Sequence, residues 1–304
     1  MSVDLSQLAS RIPRPDDDAR AAARVRLADM HPTGAFGRLG ELAEWLTGIQ
    51  GQCPAHPVDR VRFVAVVDSS EPAGPASSAG PQLSPLLAVS PATPRLVEQG
   101  PTTGRRNDIE PAFETGLAVT DDEADNGADL LVATIAADSA IPAATAVAVL
   151  TGSDIASVIG RGTGIDDREW MHRCAAVRDT ARIVRRAIAD STDVLGLLAT
   201  LGSAHIAALT GVLVQAAIRR VPVVLDGLAT SAAALVAHRL SPRTARWMVA
   251  GHASPDPGHA AALDKLRLRP LIDYAISIDD GTGALLVIPH VQAAARLLAS
   301  AEPG

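Results

Sequence analysis

A chain of 304 residues, 47% of them hydrophobic, can bury a large core without metals or disulfides. A net charge of −7 and 2% aromatic residues argue against nucleic-acid binding, which needs a basic face and rings for stacking. The opening residues lack a basic lead and apolar core, and no run of about eighteen apolar residues escapes charge, Pro or Gly, so neither secretion nor a membrane span is expected.

A polar lead gives way to a predicted helix over 15–30, with Asp16, Asp17 and Asp18 in its first turn, where the helix dipole favours acid. Pro32, Gly34 and Gly37 make a turn. Leu39, Leu42, Ala43, Leu46 and Ile49 then recur at helical spacing, an apolar stripe that requires a neighbour. Cys53 and Cys174 lie far apart without CxxC spacing and read as reduced thiols of a cytoplasmic protein. VRFVAVV at 61–67 is the first strand, running into Asp68-Ser69-Ser70-Glu71. Residues 72–106 turn to Pro, Gly, Ser and Thr and are expected to be irregular, either a loop over a site or the remnant of one. A helix over 111–124 and an apolar strand over 128–135 follow.

An alanine-rich helix spans 136–152, and Gly160-Arg161-Gly162-Thr163-Gly164 forms a glycine-dense loop. The long helix over 170–190 carries Arg173, Arg178, Arg182, Arg185 and Arg186, which suit a solvated face. Helical apolar spacing continues through 192–217. The segment 216–227, AAIRRVPVVLDG, organises the chain: a helix feeds the β-branched run 221–225, which Asp226-Gly227 ends and a second helix over 228–239 follows. Helix, short buried strand and helix in succession predict a parallel α/β sheet, with ligands beyond the carboxyl ends of its strands, at Asp226 and Gly227. A strand over 245–250, the loop Asp279-Asp280-Gly281-Thr282-Gly283 and a helix over 289–300 complete the chain. Pro255 and Pro257 break helical geometry between His252 and His259, which read as loop or strand-end residues; no metal site is expected.

Three glycine-rich loops, 160–164, 226–227 and 280–283, would let a backbone approach a phosphate closely, though each alone is equally a plain turn. The segments PTGAFGRLGELAEWLTGIQ (32–50), GRGTGIDD (160–167), RRVPVVLDG (219–227), AGHASPDPGH (250–259) and DDGTGALL (279–286) together resemble the nicotinate-nucleotide:dimethylbenzimidazole phosphoribosyltransferases of cobalamin synthesis. The likeness is strongest from Gly152 onward. It implies a homodimer with a Rossmann-like α/β fold: a mainly parallel sheet, helices on both faces and a small helical lobe from the two chain ends. On that template 1–56 and 289–304 form the lobe, and 57–288 form the nucleotide-binding part with 72–106 as an irregular insert. The implied partners are nicotinate mononucleotide and a benzimidazole-type base, with no cofactor, nucleic acid or membrane. A base nitrogen attacks the ribose carbon and nicotinate leaves.

The family's general base, a glutamate just before the last GTG, falls on Asp280, whose reach is one methylene shorter. The resemblance puts Gly160, Arg161, Gly162, Thr163, Gly164, Asp226, Gly227, Gly281, Thr282 and Gly283 around the substrates, with Asp226 near the ribose. The chain also departs from the pattern. The family's acidic residue and glycine-rich phosphate loop fall on TIAADSAI (134–141), which has no glycine and adds Asp138. Asp68-Ser69-Ser70-Glu71 stands in place of Asp-His-Gly-Val, and the chain is short between about 88 and 103, where part of the sheet is expected to be missing. These departures leave open a catalytically inactive homologue that binds a nucleotide or aromatic base, or a transferase with a changed acceptor.

Overall fold

The computed structural model describes residues 3–32, 34–69, 83–100, 102, 104–161, 165–189 and 193–299. Helices α1 (Leu5–Arg11), α2 (Asp17–Met30) and α3 (Gly37–Gln50) precede strand β1 (Val61–Asp68). Then come α4 (Leu83–Val89), β2 (Thr93–Gln99), α5 (Arg106–Asp125) and β3 (Leu130–Ala136). Helices α6 (Ala140–Thr151), α7 (Ile155–Val158), α8 (Asp167–Ile188), α9 (Val194–Leu201) and α10 (Ala204–Arg219) separate β3 from β4 (Val223–Leu225). Helix α11 (Leu228–Leu240) joins β4 to β5 (Met248–Ala250), and α12 (Pro257–Leu266), α13 (Thr282–Leu285) and α14 (Ile288–Ala299) follow.

The strands pair in parallel in the order β2-β1-β3-β4-β5, so the direction of winding reverses between β1 and β3. Side chains alternate between two covered faces. Phe63, Ala65, Val67, Val132 and Val224 belong to one core with α3 and α14, while Val64, Val66, Leu131, Ala133, Val223 and Leu225 belong to the other with α5, α10 and α11. Burial on both sides explains why these strands read as apolar runs and not as alternations. Helix α14 lies against α3, so the two chain ends meet on one face, and Arg26 of α2 donates to the Leu298 carbonyl at 2.7 Å. Residues Thr282–Ala299 are long and apolar enough by composition to cross a membrane. The stretch is broken between α13 and α14, however, and Leu285, Ile288, Val291, Ala295 and Leu298 are buried in the core that α3 shares.

Several elements differ from the sequence-based expectation. Within 72–106, read as irregular, α4 and the whole of β2 are present, and β2 occupies the region where part of the sheet was expected to be missing. TPRLVEQ hides its strand character because it is a largely exposed edge strand, the position in a sheet that tolerates Pro94. The helical run through 192–217 breaks into α9 and α10 at Gly202, whose φ is +68°. The strand expected over 245–250 starts as a 3-10 turn, and only its last three residues pair with β4. Arg178, Arg182, Arg185 and Arg186 of α8 are exposed, as expected of a solvated face.

Two features fix how the elements sit. Helices α5 and α10 cross at Gly116 and Gly211, where an added Cβ would run into the backbone carbonyls of Ala208 and Phe113 respectively. Behind β5, His259 of α12 is 1% exposed and its Nδ1 accepts the Ser254 amide at 3.1 Å. Burial, reinforced by the neighbouring His252, pushes its pKa down to about 4. Gly116→Ala should therefore separate α5 from α10 and lower unfolding free energy by about 1–3 kcal/mol, read from the urea midpoint. His259 is also a source of acid lability. Its native pKa lies below that of the unfolded chain, so the unfolded state binds the proton first and stability falls as pH drops from about 6.5 to 4. Relative to His259→Asn, the parent should lose roughly 3 kcal/mol over that window in denaturation curves taken at each pH.

Candidate active site

The carboxyl ends of β3, β4 and β5 converge with the loop 279–283. The chain leaves β4 at Asp226, which is 0% exposed. Its Oδ2 accepts the Gly281 amide at 2.8 Å and the Thr134 hydroxyl at 3.1 Å, and its Oδ1 accepts the Ala284 amide at 3.2 Å. His252, just past β5 and equally buried, places Nε2 3.3 Å from the same Oδ1. Burial depresses the His252 pKa, but contact with the Asp226 carboxylate, aided by Asp279, outweighs it and the net shift is upward. Gly281 adopts φ +96° and sits on the Phe63 ring of β1, so the loop is threaded tightly between the sheet and Asp226.

Above this buried layer lies a cleft of 440 Å³, walled by Ile135–Ala140 on one side and Leu228, Asp256, Asp279 and Asp280 on the other. Asp279 is half-buried. Its Oδ2 accepts the Leu228 amide at 3.0 Å, and its carboxylate lies directly over Gly227, at the spot a Cβ would fill. Burial, and then the charge of Asp226, push the Asp279 pKa up to about 7. Asp280, also in the cleft wall, accepts the Thr282 amide through Oδ1 at 2.9 Å. Asp256 caps α12 through the Gly258 amide at 2.8 Å and packs on Gly160. Burial raises its pKa, against hydrogen bonds from the Gly258, His259 and Gly160 amides. At the start of α6, Ser139 is 3% exposed and its buried hydroxyl has no partner. Among the described residues no group of three or more His, Cys, Asp or Glu has metal-binding geometry.

The structure thus brings Gly227, Asp280, Gly281, Thr282 and Gly283 together, and adds Gly160 through Asp256. Gly162, Thr163 and Gly164 lie outside the described residues. Arg161 pairs with Asp167 and stacks over Trp170 with its guanidinium 5.3 Å from the ring centre. Asp226, read from sequence as a ribose contact, faces inward. Its oxygens are taken by two amides, a hydroxyl and an imidazole, so it shapes the loop and has no oxygen to offer the cleft. Sequence reasoning missed Asp279, Ser139 and Asp256. The Asp279-Asp280 doublet was a visible signal for the first, but nothing in the one-dimensional chain says which carboxylate turns toward β4.

Comparison with known proteins accords with this arrangement. The phosphoribosyltransferase model DBI_PRT matches residues 12–69 and 95–302, so the likeness extends well before Gly152. A nicotinate-nucleotide–dimethylbenzimidazole phosphoribosyltransferase of Streptomyces coelicolor is 38% identical, the match covering 98% of this chain and 95% of that protein. Its namesake in Mycobacterium avium is 37% identical over 94% of this chain and 93% of its own length. The crystal structure of CobT from Thermus thermophilus superposes with a TM-score of 0.82, covering 93% of this chain and 96% of that one at 24% identity, which speaks to the fold. A parallel sheet whose strand ends gather the 160, 226 and 279–283 loops, in a chain this similar to those enzymes, belongs to the DBI_PRT phosphoribosyltransferase family.

Proposed function

We propose that this protein transfers the phosphoribosyl group of nicotinate mononucleotide to 5,6-dimethylbenzimidazole, giving α-ribazole 5′-phosphate and nicotinate. The observation that carries this reading is the acid-lined cleft at the carboxyl ends of β3 and β4, whose wall is the loop that Asp226 holds in place. The relatives' shared name supports the substrate pair. In this cleft the oxocarbenium-like ribose that develops as nicotinate departs would gain from nearby carboxylates. The phosphate would lie at the start of α6, where the unpartnered Ser139 hydroxyl provides a donor and the helix dipole favours an anion. A carboxylate of the 279–280 pair, with Asp280 the candidate from sequence, would receive the acceptor's proton.

An inert nucleotide binder on the same fold is the second reading. It is favoured by Asp138, which stands in the cleft wall and repels phosphate. We also infer a homodimer and a cytoplasmic location, supported respectively by the family resemblance and by the free thiols Cys53 and Cys174. Chromatography after incubation with nicotinate mononucleotide and 5,6-dimethylbenzimidazole should show α-ribazole 5′-phosphate; calorimetric binding with no product would establish the inert binder instead. Asp226→Ala strands the Gly281 and Ala284 amides and should reduce unfolding free energy by about 3 kcal/mol. In the same variant turnover should fall by at least about a hundredfold, because the loop loses its register over the cleft.

A further inference from the structure

A second cavity lies at the opposite end of the sheet from the cleft. It measures 710 Å³ and opens beside Met248, the first residue of edge strand β5, whereas the cleft sits at the carboxyl ends of β3 and β4. The start of α2 and Trp45 of α3 form one wall. The ends of α11 and α12, with the 3-10 turn Thr244–Trp247, form the other. Hydrogen bonds tie the chain's first helices to that turn: Trp45 Nε1 donates to the Arg246 carbonyl at 2.9 Å, Trp247 Nε1 to that of Pro13 at 3.1 Å, and the Arg243 guanidinium to that of Ile12 at 3.2 Å. A preformed space of this size suits a small molecule.

Charge decides which kind. Although the chain carries a net −7, the cavity is lined by Arg20, Arg246, Lys265, Arg267 and His238 against the single carboxylate of Asp264. Among the described residues, Arg246, Lys265 and Arg267 make no ion pair, and Arg20 reaches only Asp17, at 3.8 Å. Helix dipoles explain part of this set. Lys265 stands in the last turn of α12, where a cation is favoured, but Arg20 stands in the first turn of α2, where it is not. The Arg20 stem lies over Gly48, at the spot a Cβ would fill, and its Nε is buried without a partner, as is Nδ1 of His238. Unpaired cations and unpartnered buried nitrogens are the complement of an anion that supplies several acceptor oxygens. Beside them Trp45, Met248 and Leu266 give an apolar surface suited to a flat ring. We propose that this cavity is a second ligand site, separate from the cleft, that takes a nucleoside monophosphate with its phosphate among the cations and its base against Trp45. The site stands whether or not the cleft performs the transfer.

The test titrates adenosine 5′-monophosphate by calorimetry and by tryptophan fluorescence at low salt into the parent, Trp45→Phe and Arg246→Glu/Lys265→Glu, whose two charged positions are exposed and tolerate the change. The parent should bind with a saturable change in emission, and salt of about 0.5 M should weaken binding severalfold. Adenosine, which lacks the phosphate, should bind at least about tenfold more weakly, and so should ribose 5-phosphate, which lacks the ring. Arg246→Glu/Lys265→Glu should melt with the parent and bind more than about tenfold more weakly, with the neutral pair Arg246→Gln/Lys265→Gln intermediate. Trp45→Phe should abolish the change in emission, because Trp247 is 1% exposed and Trp170 lies beside Arg161. Unchanged affinity in the charge-reversed protein, with the emission change kept in Trp45→Phe, would put the nucleotide elsewhere and overturn the proposal. Ribose 5-phosphate binding as tightly as the nucleotide would overturn the placement of the base on Trp45. A parent that binds no nucleotide at millimolar concentration overturns the site outright. If charge reversal then also shifts the sedimentation coefficient, the cavity wall is instead a contact with a second copy of the chain.

Discussion

The site depends on one buried carboxylate. A carboxyl group with no exposure is tolerated only if its oxygens have partners, and Asp226 meets that requirement with two amides, a hydroxyl and a neighbouring imidazole. Those donors come from β3, from just past β5 and from the loop 281–284, three parts of the chain far apart in sequence. Satisfying those oxygens therefore welds the strand ends to the loop. It also brings the left-handed turn at Gly281 down onto Phe63, fixing the wall of the cleft within hydrogen-bond tolerances.

The consequence of that weld is electrostatic. The anchored loop delivers Asp279 into a region already holding Asp226 and Asp256, where low hydration and like charge strengthen its hold on a proton. His252 answers part of that charge from below. His259, packed beside it with ring centres 5.8 Å apart, stays neutral because a second imidazolium there would be both buried and repelled. The cluster thus separates one cation-favouring imidazole from a neutral one and one proton-binding carboxylate from a structural one. Such divergence between neighbouring groups is how a fold supplies acid and base functions at a single pH.

The route of the chain explains why the loop is rigid enough for this. Beyond Gly283 it runs directly into α13 and α14, whose apolar residues share a core with α3 and the sheet face carrying Phe63 and Val132. The active loop is thus bracketed by a buried carboxylate on one side and a packed carboxyl-terminal helix on the other. A segment made largely of Asp, Gly and Thr would have no such constraint by itself. The amino-terminal helices contribute indirectly, as the opposing surface for α14.

The α/β class, the β1, β3 and β4 strands and the turns at 226–227 and 280–283 were legible in the chain, because buried parallel strands and the helices over them require continuous apolar runs and sharp punctuation. Edge strand β2 was not legible: exposure removes the apolar signal, and only pairing with β1 makes TPRLVEQ a strand. The motifs also singled out the 226 and 279–283 loops, which the fold brings together beside one cleft. Sequence by itself determined which residue types reach the strand ends. Tertiary structure alone decided that Asp226 turns inward, Asp280 back onto its loop and Asp279 toward Leu228, because a carboxylate's role depends on which donors and charges surround it, and those arrive from segments remote along the chain.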